Sequence, residues 1–211
     1  NLGNDCWTTN TNGEKVLRLM AGSLLTIDRH PFSTECARRG ITIEIDYRVD
    51  NVTNYSEPVM TISSPSGNSF IGLNLYADDI IMHTQSLKDD SVQSLHTFEG
   101  KRTRLTLTVL PTAYGNPGFN LCILYINGRK NREFTYEDND YFAQSGAIVI
   151  GSDYADVDVY GIREYASGLT SQGVLTNYIN WLSDTEEKAR VKAFNDILDP
   201  NGSEIDFDNT R

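Results

Sequence analysis

The sequence has few cysteines and few positive charges, and each shortage argues against a class of protein. Cys6, Cys36 and Cys122 are the only cysteines in 211 residues, too few for a disulfide-stapled secreted domain. Cys122, inside LCILYI, is predicted to be a buried free thiol, and a Cys6–Cys36 disulfide stays an alternative. Lys and Arg number 18 against 29 Asp and Glu, and the net charge of −11 argues against a nucleic-acid or anionic-membrane partner.

Long apolar runs are also absent. No segment approaches the ~20 apolar residues of a membrane-spanning helix, so we expect no membrane insertion. The chain begins Asn-Leu-Gly, with neither Met nor an apolar leader, and we therefore expect a domain excised from a larger protein. An apolar fraction of 39% is typical of a globular protein.

The motifs of common catalytic and metal sites are missing as well. The sequence contains no Gly-x-Ser-x-Gly, His-Glu-x-x-His, Cys-x-x-Cys or P-loop pattern. His30, His83 and His96 are scattered and match no Ser or Cys partner. The sequence therefore predicts neither a zinc site nor a nucleotide site, and it favours a protein that is not an enzyme.

What the sequence does contain is a series of short strand patterns. The clearest covers Ile41 to Asp50, where apolar residues alternate with polar or charged ones. Asn127-Gly128, between two strand patterns, indicates a hairpin, and Ala21-Gly22 predicts another within residues 15–28. Many such strands separated by turns predict an all-β fold, an antiparallel sandwich of two sheets.

Helices are expected only after the last strand. Val157 to Tyr165 predict that strand, with a bulge at Gly161, and Thr170 is a suitable N-cap for the helix that follows. Ser183 and Glu186 form a capping box for a second helix. We therefore assign residues 1–182 to the sandwich domain, and residues 183–211 to a C-terminal helix and linker toward a further domain of the parent chain.

The segment VYGIREYASGLT, residues 159–170, resembles the closing strand of concanavalin A-like (laminin G-like) jelly-roll domains. WTTNTNGEKVLRL from Trp7, ITIEIDYRVDNV from Ile41, YING and IVIGS match further parts of that family in the same order. The resemblance implies a two-sheet jelly roll with lectin-like surface recognition. NYINWL and FNDILD are similar to a subgroup from large bacteriophage tail or virion proteins, which implies a virion or extracellular location. Gly173 departs from the Glu that family members often carry.

One enzymatic alternative comes from the same resemblance. Concanavalin A-like glycoside hydrolases begin their catalytic strand with a similar Glu-x-Asp, here Glu44 and Asp46. The third carboxylate, Asp50, lies six residues after Glu44, roughly 20 Å along a strand, farther than retaining hydrolysis allows. We therefore interpret Glu44, Asp46 and Arg48 as a salt-bridged, solvent-facing row.

Calcium is the one cofactor with support in the sequence, because it binds several oxygens on loops. The candidate clusters are Asp78-Asp79, residues 137–140, and Asp153 with Asp156 and Asp158. The last is favoured, since Asp156 and Asp158 share a strand face. The alternative is that all are ordinary turn residues.

Sugar binding needs aromatic platforms, and several aromatic residues fall in or beside predicted loops. The candidate ligand-binding residues are Tyr76, Tyr114, Phe119, Tyr141 and Tyr154, and the Gly- and Pro-rich loop around Tyr114 is preferred. We therefore expect a non-catalytic carbohydrate-binding module of a larger phage virion or extracellular protein. Its expected partners are a cell-surface glycan or polysaccharide and other domains of its parent. A purely structural or protein-interaction module and a glycoside hydrolase or polysaccharide lyase stay the alternatives.

Overall fold

The computed structural model describes residues 6–9, 13–29, 39–63, 72–76, 79–83, 90–93, 99–111, 119–137 and 146–182. This part of the chain forms the following strands and one helix: β1 Trp7–Thr9, β2 Lys15–Leu19, β3 Leu25–Arg29, β4 Ile41–Asp50, β5 Met60–Ser63, β6 Gly72–Leu75, β7 Asp79–His83, β8 Asp90–Gln93, β9 Thr103–Pro111, β10 Phe119–Ile126, β11 Arg129–Glu137, β12 Gly146–Ile150, β13 Asp156–Tyr165 and α1 Ser171–Trp181.

The strands form two sheets in which neighbours run antiparallel. Sheet A has seven strands in the order β1-β2-β13-β4-β9-β10-β11, and sheet B has six in the order β3-β12-β5-β6-β7-β8. The side chains between them form one apolar core to which both sheets contribute, for example Ile43 and Leu107 from sheet A and Ile62 and Ile148 from sheet B. The predicted all-β sandwich of two antiparallel sheets is confirmed.

The predictions for β13 and for the start of α1 are also confirmed. The register of β13 against β4 shifts between Val159 and Gly161, which places a bulge where glycine allows it. Thr170 caps the helix, and its hydroxyl accepts a hydrogen bond of 3.1 Å from the Gly173 amide. Glycine at position 173 therefore leaves the cap itself in place.

Helix α1 packs on the face of sheet A that points away from sheet B. Along β10, Cys122 and Leu124 face the main core, whereas Ile123 and Tyr125 face the helix and pack with Val174. The β10–β11 hairpin turns at Asn127 and Gly128, both with positive φ, and a side chain at Gly128 would press on the ring of Tyr178. Cys122 is fully buried, as predicted, and burial raises the pKa of its thiol well above the usual value.

The predicted hairpin around Ala21-Gly22 is wrong. A turn does occur there, closed by the Ser23 amide and the Met20 carbonyl at 2.8 Å, but β2 joins sheet A and β3 joins sheet B. The segment therefore crosses from one sheet to the other. The local sequence pattern fits a hairpin and a sheet-to-sheet connection equally well, because turn residues between two apolar runs do not specify whether the runs pair with each other.

The predicted solvent face of β4 is also wrong. Ile41, Ile43, Ile45, Tyr47 and Val49 lie in the core as expected, but Thr42, Glu44 and Asp46 on the opposite face are buried too. Helix α1 lies over this face, and the contacts of Glu44 and Asp46 with it are described below. Arg48 pairs with Asp50, at 2.9 Å, and not with the other two carboxylates.

The C-terminal segment from Ser183, with its predicted second helix, lies outside the described residues, and so does Cys36. Where the chain is described, no helix has the length and apolar character needed to cross a membrane.

Replacement of Gly151 by alanine is expected to destabilise the fold strongly. Gly151 has φ +115, and a Cβ there would overlap the carbonyl oxygen of Ser23 in the sheet-to-sheet connection. Positive φ and overlap together should lower the free energy of unfolding by about 2–4 kcal/mol, measured by denaturant unfolding. Gly22→Ala is the matched control, since Gly22 has φ +88 with nothing within 4 Å, and it should cost only about 1 kcal/mol. Equal losses would contradict the steric argument.

Candidate functional site

Four connections meet at the end of the sandwich where β4 finishes: residues 20–24, 51–59, 99–102 and 151–155. Asp50 at the end of β4 pairs with Asp156 at the start of β13, and the ends of β2 and β12 lie at the same level of the fold. We call these four connections the end-loop surface. Loops on a rigid sandwich are where binding residues are commonly found, so this surface is the first candidate site.

Local sequence explains how these loops turn. Gly22 takes φ +88 at the tip of the first loop, and Asn51 takes φ 56, a conformation that asparagine tolerates better than most residues. The Asn54 side chain accepts a hydrogen bond of 3.0 Å from the Ser56 amide, which makes an Asx turn. Short polar residues therefore provide the bends without a long unsupported loop.

Hydrogen bonds join the loops to one another. The carbonyl of Tyr154 accepts bonds from both the amide and the hydroxyl of Thr53, at 2.8 and 3.1 Å. The Gly22 amide donates to the Ser152 carbonyl at 2.9 Å, and the Gly151 amide donates to the Val59 carbonyl at 2.9 Å. These bonds between main-chain segments hold three of the four connections in one frame.

Carboxylates complete that frame. Asp156 accepts from the Ala21 amide at 2.9 Å and from the Asn51 side chain at 2.8 Å. Glu99 accepts from the Val52 amide at 3.1 Å and from the Tyr55 hydroxyl. The hydrogen bond from Tyr55, and then that from Val52, hold the pKa of Glu99 below its usual range. Glu99 is therefore an ionised anchor for the loop that carries Tyr55.

Two tyrosine rings project from this framework. Tyr55 is 42% exposed and Tyr154 is 41% exposed, and Thr53 connects their two loops directly. Met20 and Leu24, which are 54% and 60% exposed, add apolar surface from the first loop. The arrangement can bind a ligand that presents an apolar face, since the exposed rings are carried on loops already joined by main-chain hydrogen bonds.

The predicted ligand-binding residues do not form a single site. Tyr154 belongs to the end-loop surface, and the half-buried Tyr76 lies beside it, following Leu75, whose carbonyl accepts a hydrogen bond from the Val59 amide. Phe119 begins β10 opposite Glu137, at the other end of the sandwich, and β4 between the two ends is roughly 30 Å long. Tyr114 and Tyr141 lie outside the described residues. Tyr55, whose aromatic side chain in a turn-rich loop was the available signal, belongs with Tyr154.

The Asp153, Asp156 and Asp158 cluster is divided among separate partners. Both oxygens of Asp158 are bound by Arg18, at 2.7 and 2.6 Å, and Asp156 accepts the two bonds named above, while Asp153 is exposed. Across the described parts of the chain, no group of three or more His, Cys, Asp or Glu side chains is placed to hold a metal ion. A calcium site at these residues stays a prediction.

A second polar cluster lies under helix α1, on the outer face of β4. Arg104 of β9 is fully buried and binds both oxygens of Asp46, and its third nitrogen donates to the Asn177 carbonyl of the helix at 2.9 Å. Burial raises the pKa of Asp46, and the hydrogen bonds from Arg104 oppose that rise. The ion pair is therefore a bridge between the sheet and the helix.

Glu44 is held in the same cluster. It accepts from the Tyr165 hydroxyl at 3.0 Å and from the Asn177 side chain at 3.3 Å, and Arg163 lies 3.9 Å away. The carboxylates that suggested a hydrolase are thus buried and committed to fixing the helix. The sequence did not reveal Arg104 as the partner of Asp46, because Arg104 is one of several polar residues in the alternating strand β9.

Aromatic stacking closes this cluster near the end of the helix. The guanidinium of Arg102 lies 3.8 Å from the ring centre of Tyr160 and 4.1 Å from that of Trp181, while Glu14 binds the same group at 2.9 Å. The Arg104 guanidinium is 4.6 Å from the Trp181 ring. Cation–π contacts therefore add to the ion pair in holding α1 on sheet A.

The fold is similar to that of several solved structures. The receptor-binding domain of botulinum neurotoxin mosaic serotype C/D has a TM-score of 0.60 and 17% identity over 83% of this chain and 44% of that chain. The botulinum neurotoxin serotype D binding domain has a TM-score of 0.57 and 17% identity over 84% and 45%. The binding domain of botulinum neurotoxin DC, solved in complex with rat synaptotagmin II, has a TM-score of 0.57 and 12% identity over 84% and 45%.

These similarities concern the fold. The chain spans less than half the length of the solved structures it matches. No family model matches the sequence, and no curated protein matches it. The identity to the solved structures is too low to transfer any residue's role from them, so the site is argued from its own geometry.

Loss of the Arg104 side chain is expected to destabilise the domain because it leaves Asp46 buried without its partner. Arg104→Met should lower the free energy of unfolding by about 3–5 kcal/mol, measured by denaturant unfolding. Asp46→Leu combined with Arg104→Met should recover much of the loss. Arg48→Met, which breaks a half-exposed pair with Asp50, is the control and should cost about 1 kcal/mol or less. A similar cost for both single variants would contradict the bridging role.

Glu99 is expected to titrate below the usual range of a glutamate. Because its folded-state pKa is depressed, its contribution to holding the Tyr55 loop is present above the unfolded pKa and is lost as the pH falls through the folded value. NMR titration of the Glu99 carboxyl should show the low midpoint, and Tyr55→Phe should move it upward. Tyr154→Phe, which removes no bond to Glu99, should leave it in place. An ordinary midpoint in the unaltered protein would refute the anchor.

Proposed function

We propose that this chain is a non-catalytic, lectin-like carbohydrate-binding module, and that the end-loop surface holds the sugar. The observation that carries the proposal is the pair of tyrosines, Tyr55 and Tyr154, each about two-fifths exposed on loops that Thr53 joins by hydrogen bonds. Such a pair offers apolar ring faces to sugar C–H groups.

Two further observations support a binding role. The solved structures with a similar fold include receptor-binding domains, which is compatible with a module that recognises a surface. Glu44 and Asp46, the carboxylates a hydrolase would need, are instead buried against Arg104, Tyr165 and Asn177. A non-catalytic role is therefore favoured over a glycoside hydrolase or polysaccharide lyase.

The setting of the module is part of the proposal. We place it in a larger virion or extracellular protein, on the sequence resemblance to jelly-roll and phage tail proteins; no comparison supports the phage context. The partner would be a cell-surface glycan or polysaccharide. A purely structural or protein-interaction module is the alternative that the same experiment distinguishes.

Tyr154→Ala is expected to weaken glycan binding without altering the loop frame, because Thr53 bonds to the main-chain oxygen of Tyr154. The loss should be about 2 kcal/mol, roughly 30-fold in affinity, as for a central aromatic contact. The measurement is binding to a glycan and bacterial-polysaccharide array, with calcium and with EDTA, followed by titration calorimetry on the best ligand.

Trp7→Ala is the control, since Trp7 is 56% exposed on edge strand β1, outside the end-loop surface, and its loss should not change binding. Tyr114→Ala tests the loop that the sequence favoured. If only Tyr114→Ala weakened glycan binding, the site would lie in the Tyr114 loop and not at the end-loop surface. Release of free sugar from the ligand would favour a hydrolase. Binding to no glycan on the array would favour a purely structural or protein-interaction module. Loss of binding in EDTA would support a calcium site.

A further inference from the structure

Carboxylates outnumber cations around the two exposed tyrosines. Glu57 and Asp153 lie within two residues of Tyr55 and Tyr154, are exposed, and contact no charged partner among the described residues. The end-loop surface contains two cationic side chains, Lys101 and Arg102, and the Arg102 guanidinium is already bound by Glu14 at 2.9 Å. A ligand that stacks on either tyrosine therefore approaches uncompensated negative charge.

Two more carboxylates, Glu99 of the same surface and Asp156 directly after it, are hydrogen-bonded but not neutralised. Asp156 accepts bonds from the Ala21 amide and the Asn51 side chain, which are uncharged donors. Glu99 accepts from Tyr55 and Val52, and both bonds favour its ionised form. Neither carboxylate is paired with a guanidinium or ammonium group in the structure as described, so each adds to the negative field.

The arginines at this end of the sandwich offset only part of that field, because each is paired first with another carboxylate. Arg18 binds Asp158 at 2.6 Å, and Arg48 binds Asp50 at 2.9 Å, so each guanidinium already has a carboxylate partner. An incoming anion would have to compete with those pairs. The large exposed side chains of the first loop, Met20 and Leu24, are apolar and carry no positive charge.

We propose, on the premise of the function proposed above, that the end-loop surface selects sugars without negative charge and excludes those that carry carboxylate or sulfate groups. The tyrosine rings and the side chains of Met20 and Leu24 attract an apolar sugar face, whatever the charge of the sugar. The carboxylates then discriminate between neutral and acidic sugars, because they repel a negatively charged ligand at a partly desolvated surface.

The experiment compares matched ligands: neutral oligosaccharides and the same oligosaccharides carrying a terminal sialic acid or a sulfate. At low ionic strength the neutral member of each pair should bind more tightly, by about tenfold or more, and added salt should narrow the gap because it screens the repulsion. Glu57→Gln with Asp153→Asn should narrow it as well, by strengthening binding of the acidic member. Glu164→Gln, an exposed carboxylate at the other end of the sandwich, is the control and should change nothing.

Equal or tighter binding of the acidic ligands would overturn the selectivity while leaving glycan binding itself established. An unaltered gap in the Glu57→Gln, Asp153→Asn double variant, or a gap that salt does not change, would also overturn it, since the discrimination would then come from shape. Binding to no glycan at all would overturn the selectivity together with the proposed function.

Discussion

Two carboxylates buried on the outer face of β4 constrain the rest of the structure. A charged group removed from water is costly unless ion pairs and hydrogen bonds replace its hydration. Glu44 and Asp46 therefore require Arg104 from the neighbouring strand, Tyr165 from β13 and Asn177 from the helix. Because these partners come from three elements, the helix can dock on sheet A in only a narrow range of positions.

That docking separates the part of the molecule that holds the fold from the part proposed to bind. The outer face of β4, where a glycoside hydrolase that used Glu44 and Asp46 would need them accessible, is occupied by α1 and by the stacked Arg102, Trp181 and Tyr160. At the end-loop surface, by contrast, aromatic side chains are exposed, and hydrogen bonds between main-chain atoms join the loops that carry them. Exposed platforms on a fixed frame are suited to recognition, whereas buried carboxylates with fixed partners are suited to stability.

The sequence predicted local structure well because local structure depends on neighbouring residues. Alternation identified β4, Asn127-Gly128 identified a hairpin, and Thr170 identified the start of α1. Neighbouring residues could not predict which sheet β3 joins, nor that Glu44 is buried. Both depend on contacts between residues that are distant in the chain.

The candidate site was predictable only in part for the same reason. Tyr154 was recognised as a loop aromatic, but its position beside Tyr55 depends on a contact between residues 53 and 154, 101 positions apart. Phe119 fitted the same compositional rule and lies at the other end of the sandwich. Composition indicates which residues suit a sugar, whereas only the order of the strands determines which of them share a surface.

The bonds that fix the end-loop surface use main-chain atoms to a large extent, and this has a consequence for specificity. Gly22 to Ser152, Gly151 to Val59 and the Thr53 amide to Tyr154 are all amide-to-carbonyl bonds, which do not depend on the side chain of the acceptor residue. Side chains such as Leu24, Tyr154 and Asp153 can therefore change without removing these bonds. In this part of the frame the side chains of Tyr154 and Asp153, to which binding and charge selectivity are assigned in the proposals, are therefore separate from the backbone bonds that fix the loops.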